Sequence, residues 1–229
     1  MAGPHDRIEV YLEAGGKRTF AGAVDWPGWC RSGRDEGSAR QALFDCGSRY
    51  ARALRASRLG FRVPTDASEF VIVERLRGDA TTDFGAPGAA PSTDSRRVKD
   101  EDLRRFGDIL KACWGAFDAA AEMASSKKLR KGPRGGGRSL EAIVEHVVDA
   151  EGAYLAKIGW KRQPLGKMGI PEKGSRTRRE ILQGLEAAAR GDLPASGPRG
   201  GKLWSTRYFV RRVAWHVLDH AWEIEDRAG

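Results

Sequence analysis

The apolar residues of this chain change period partway along it, and a stretch with no period lies between the two patterns. Residues 7–13 (RIEVYLE) set Ile8, Val10 and Leu12 against Glu9, Tyr11 and Glu13, the alternation of a half-buried strand. Gly15-Gly16 supplies a turn, and 18–25 (RTFAGAVD) reads as the returning strand of a hairpin. After Pro27-Gly28 and a polar loop at 31–35, residues 36–57 carry Ala39, Ala42, Leu43, Cys46, Tyr50 and Leu54 at helical spacing. Residues 69–76 (EFVIVERL) fit a further strand. The order strand, strand, helix, strand predicts an α+β domain over 1–77. Residues 78–97 are rich in Gly, Ala, Pro, Ser and Thr without apolar period, the composition of a linker.

Beyond residue 98 the period is helical throughout. Four segments carry it, over 99–124, 139–159, 174–190 and 204–227, with Ser139 placed as an N-cap ahead of Glu141 and Glu145. Four helices in succession predict an all-α up-down four-helix bundle over 98–229.

The rest of the composition narrows the function classes. Across 229 residues no run approaches the ~18 apolar residues that span a bilayer, and the first residues have neither a basic start nor an apolar signal core. A cytoplasmic protein without membrane contact is expected. Cys30, Cys46 and Cys113 match no metal or redox spacing and read as buried thiols. The formal charge is +9, which permits an anionic partner. Arg is scattered, and no aromatics alternate with it, so nucleic acid is not the expected partner.

Chemistry concentrates on histidine. The chain has four, and apart from His5 they fall on two of the predicted helices. His216 and His220 are four apart in WHVLDHAWE, on one helix face, with Cβ atoms about 5–6 Å apart. That lets both rings reach one ion at about 2.0–2.1 Å. On a helical wheel the pair flanks the stripe of Val210, Val213, Ala214, Val217, Leu218, Ala221 and Ile224, and His146 sits at a comparable offset on its own helix. Spacing alone leaves two readings open, a shared ion or ordinary hydrogen-bonded rim histidines. Glu151 falls near the middle of its helix's apolar stripe, where a carboxylate needs a partner or a raised pKa. It reads either as an ion pair to Arg211 or Arg212, or as a proton-handling or supporting group near the ion. Asp219 and Glu223 are weaker supporting candidates, and basic loops at 127–138 and 176–179 are candidate anion contacts.

SLEAIVEHVVDAEGAYLAKIGW (139–160) and RYFVRRVAWHVLDHAWEIEDR (207–227) resemble the DinB-like superfamily. The resemblance spans about 99–227. It implies a four-helix bundle with a divalent metal, zinc, nickel or iron, on His146, His216 and His220. Within that family, thiol-dependent S-transferases use the metal to activate mycothiol or bacillithiol, and the Ala-, Arg- and Gly-rich composition favours mycothiol. Residues 7–76 resemble a HicB-like domain through the hairpin and WPGWCRSGRDEGSARQALFDCGSRYARAL (26–54); the Trp before the proline and the basic helix depart from that pattern. In that family the domain is the partner-binding half of antitoxins. No DNA-binding segment follows here, so a dimerising or small-molecule-sensing role is what carries over.

Two functions therefore stand side by side. One is a metal-dependent S-transferase or hydrolase that activates a low-molecular-weight thiol or water, its partners being that thiol and an electrophile. The other is a non-catalytic binding or regulatory protein whose metal is structural or vestigial. A homo-oligomer is expected in either case.

Overall fold

The computed structural model describes residues 7–131, 137–164, 166–197 and 200–229, so His5 and part of the basic loop at 127–138 lie outside the described residues. The chain is mixed α/β, a four-stranded sheet followed by long helices, and it divides into two compact units, Met1–Arg96 and Arg97–Gly229.

In the first unit, β1 (Ile8–Ala14), β2 (Thr19–Ala23), β3 (Cys30–Gly33) and β4 (Phe70–Arg77) lie in the order β3-β2-β1-β4. The β1/β2 and β2/β3 pairs are antiparallel and β1/β4 is parallel. The hairpin and the last strand stand where alternation placed them. The strand β3 falls on residues expected as polar loop; it is a short edge strand with only Cys30 fully buried, so it carries no alternation to read. Gly33 lets the first turn of α1 (Glu36–Asp45) sit directly on this edge, since a Cβ there would lie 2.4 Å from the Ala39 nitrogen. The expected helix over 36–57 is two helices, α1 and α2 (Gly47–Leu54), which break at Cys46.

The core of this unit is aromatic. Trp29 stacks on Tyr50 at 5.8 Å, donates to the Leu43 carbonyl at 2.9 Å, and meets the edges of Phe61 and Phe70. Residues 78–97, expected as a linker, instead belong to the fold. They form α3 (Ala80–Phe84) and a 3-10 turn at Ser92–Ser95. Glu13, wholly buried on the central strand, accepts from Thr82 Oγ1 at 2.5 Å, the Gly88 nitrogen at 2.8 Å and the Ala89 nitrogen at 3.0 Å. A buried carboxylate demands such donors. Backbone N–H groups supply two of them, so the segment needs no apolar period and its packing is invisible in composition.

The second unit holds α4 (Asp100–Ala124), α5 (Leu140–Lys157), α6 (Ile170–Arg190) and α7 (Thr206–Ala228). Ser139 caps α5 as expected, and Ser205 caps α7. The helix α6 begins four residues earlier than the apolar pattern suggested, on Pro171 in its first turn. Phe106, Ile109, Leu110 and Phe117 of α4 pack with Val147 and Leu155 of α5, Ile181 of α6 and Phe209, Val213 and Val217 of α7 in a fully buried core.

Helix directions do not alternate. Arg207 pairs with Asp102 at the start of α4, and Lys127 and Arg130 reach Ala228 and Arg227 past its end, so α4 and α7 run parallel. Gly174 meets Val148 and Gly184 meets Leu155, so α5 and α6 also run parallel, opposite to the other two. The expected up-down order is thus replaced by up, down, down, up. The physical reason is the connection over 158–169, twelve residues long. Extended, it spans about 40 Å, more than the ~27 Å length of α5, and so permits a full return.

Candidate metal centre

The antiparallel packing of α5 on α7 brings His146 to both histidines of α7. Ring centroids of His146 lie 5.1 Å from His216 and 5.0 Å from His220, and those two rings are 4.7 Å apart. One ligand nitrogen from each ring falls within 4.8 Å of the others, so the three form a group able to hold a metal ion. His146 Nε2 and His216 Nε2 are 3.2 Å apart. Ligands at 2.0–2.1 Å around a tetrahedral ion are about 3.3 Å apart, nearly the same distance.

The second nitrogens of His220 and His216 stand in different surroundings. His220 Nδ1 lies 2.7 Å from Glu223 Oε2, and Arg227 donates to the other Glu223 oxygen at 2.7 Å. Arg227 also donates to the Arg130 and Arg138 carbonyls, which fixes the carboxylate in place. A carboxylate on Nδ1 sets the tautomer that leaves Nε2 free as a ligand. His216 is 7% exposed, and its Nδ1 is buried with no hydrogen-bond partner. The spacing of the Nε2 atoms and the all-imidazole donor set fit an ion.

Electrostatics favour the neutral form of His216 and His146, as ligation requires. Burial pushes His216 down to about 2, helped by the neighbouring His220 and His146 and by the cations Arg212 and Arg138. Burial also lowers His146, with Arg138 next in effect. The hydrogen bond from His220 holds the Glu223 carboxyl below its usual range.

The chain matches none of the known protein families, curated proteins or solved structures.

Glu151 is not part of this group. It is wholly buried, and its Oε1 accepts from Trp114 Nε1 of α4 at 2.5 Å, while Oε2 is buried without a partner. The expected ion pair to Arg211 or Arg212 is replaced by this bond and by the nearby charge of Arg178, which itself pairs bidentately with Asp118. Five residues separate Glu151 from His146, about 140° around the helix, and no hydrogen bond links it to any of the three rings. Burial raises its carboxyl to about 7, against the lowering effects of Trp114 and Arg178.

Glu223, weakly weighted from sequence, is the carboxylate that touches the centre. Its signal was the spacing His220-x-x-Glu223-x-x-x-Arg227, in which i, i+3 and i, i+4 neighbours meet. Tyr154, which was not singled out in the sequence, also borders the centre, as does Arg212, which was expected beside Glu151. Tyr154 lies 5.7 Å from the His216 ring, and Arg212 donates to its hydroxyl at 3.4 Å. The three cysteines form no disulfide and are buried, and burial, with Glu151 next, drives the Cys113 thiol well above its ordinary range. Such thiols are inert.

Proposed function

We propose that the Arg97–Gly229 unit is a DinB-like four-helix bundle holding one divalent ion, zinc, nickel or iron, on His146, His216 and His220. We infer that the protein is a metal-dependent S-transferase acting on a low-molecular-weight thiol of the mycothiol or bacillithiol kind, with water as the other nucleophile. The observation that carries this reading is the convergence of three imidazoles, from two helices, within reach of one point.

Three protein ligands leave at least one coordination position for a substrate, the pattern of catalytic sites. A divalent ion bound there supplies a Lewis acid that lets a thiol or water ionise near neutral pH. The protein's own part is to favour neutral His216 and His146 by burial, and to fix the His220 tautomer through Glu223 and Arg227. The inert cysteines support an external thiol as nucleophile. No helix among the described residues is long and apolar enough to cross a membrane.

The finer reading of the Met1–Arg96 unit is a HicB-like domain that joins copies of the chain into a homo-oligomer. The β1–β2 hairpin, the turn after Pro27-Gly28 and α1 support it.

The test loads full-length protein with zinc, nickel or iron and follows addition of a small thiol to a chromogenic electrophile. Turnover that disappears on chelation and returns with metal is the expected result. Stoichiometric metal without turnover across a broad electrophile panel would favour the regulatory role instead.

A further inference from the structure

A second set of groups, unused by the metal centre, gathers past the C-terminal end of α5. That helix stops on Gly159, whose φ of +82° is left-handed, and the Trp160 nitrogen folds back to donate to the Leu155 carbonyl at 3.1 Å. The turn seats the Trp160 indole on Gly184 of α6, where a Cβ would stand 3.6 Å from the ring. Arg162 then pins the chain to α6, donating to Glu180 at 2.8 Å and to Thr177 at 2.7 Å. Between this segment and one flank of α6 opens a cleft of about 520 Å³, a size usual for small-molecule sites. Trp160 is fourteen residues from His146, and none of the three histidines lines the cleft.

The charges in this cleft do not balance. Glu180 in its wall is answered twice, by Arg162 and by Arg176, which leaves one positive charge over. Lys161 and Arg179 line the same cleft, and among the described residues neither makes a hydrogen bond, ion pair or ring contact. The one other carboxylate there, Glu172, lies seven residues from Arg179, about 10 Å along α6. Two unanswered cations suit a dianion, and a phosphomonoester carries about −1.5 to −2 near pH 7. The half-exposed Trp160 ring offers a stacking surface to a flat ring. Gln183, next to Gly184 and lining the same cleft, adds an amide whose paired donor and acceptor match the edge of a nucleobase.

We propose that this cleft binds a free nucleoside monophosphate, with its base against Trp160 and Gln183 and its phosphate on Lys161 and Arg179. Arg179 precedes Gly184 by five residues, about 7.5 Å along α6, which is close to the reach from a base to its 5′-phosphate. The site stands apart from the three histidines and does not depend on the metal reading.

Calorimetric titration of the full-length protein with AMP, adenosine and inorganic phosphate tests it, each run with and without a metal chelator. AMP is expected to bind at least ~10-fold more tightly than adenosine or phosphate, because only AMP meets both the indole and the cations. Arg179→Gln and Lys161→Gln should each weaken AMP severalfold while leaving adenosine unchanged. Trp160→Ala should weaken AMP by roughly fivefold or more. Lys161 and Arg179 are exposed, so their variants remain a fair test even where Trp160→Ala fails to fold. Arg104→Gln removes an exposed cation outside the cleft and should leave AMP binding as it is. Equal affinity for AMP and phosphate, or an equal loss in Arg104→Gln and Arg179→Gln, would overturn the site in favour of general charge attraction. AMP affinity that falls on chelation would place the phosphate on the metal centre instead, and tighter binding of an oligoadenylate than of AMP would make the ligand a strand; either overturns the proposal.

Discussion

At the scale of single residues, burial decides which groups carry charge, and it acts in opposite directions on Glu151 and His216. The Glu151 carboxyl is raised to about 7 by burial, so the folded state binds its proton more tightly than the unfolded chain does. Its contribution to stability is full below the unfolded value near 4.5 and is lost as pH rises through 7. Glu151→Gln keeps an acceptor for Trp114 and removes the titration. The variant should therefore gain about 2 kcal/mol relative to wild type between pH 5 and pH 8, read from urea unfolding at the two values. A gap that does not change with pH would show that the carboxyl titrates normally. For His216, pushed down to about 2, the sign reverses. Stability is present above pH 6.5 and falls as acid protonates the unfolded chain first. Both groups were visible in the sequence as polar residues on or beside apolar stripes. Their partners were not, because Trp114 and Arg178 meet Glu151 only through the packing of three helices.

At the scale of elements, amphipathic period located the long helices well and their ends less well. The helices α4, α5 and α7 stand within two residues of where Leu103, Ile143 and Val210 placed them, since each buries a full stripe. The start of α6 was missed because its first turn, Ile170–Lys173, is largely exposed and only Pro171 marks it. The strand β3 and the 78–97 segment were missed for a related reason: backbone hydrogen bonds, not apolar side chains, tie them down. Histidine spacing survived because i, i+4 geometry is internal to one helix, whereas the meeting of His146 with the pair depends on α5 and α7 running antiparallel. The cap of α7 matters for the same helix. Ser205 accepts from the Tyr208 nitrogen at 3.3 Å, and Ser205→Ala should lower stability by about 1 kcal/mol in chemical denaturation while metal content stays at the wild-type level. An unchanged midpoint would mean that tertiary packing alone sets the start of this helix.

At the scale of the whole molecule, two units with separate cores share one chain of net charge +9. The first has an aromatic core under a four-stranded sheet, and the second places its three histidines where two helices cross the edge of an apolar interior. Among the described residues, the groups that ask for an ion lie in the second unit. Elemental analysis of purified full-length protein beside its His216→Ala variant tests that demand most directly. About one divalent ion per wild-type chain, falling to near zero in the variant with helical content preserved, is the predicted result. Equal metal content in the two proteins would contradict it.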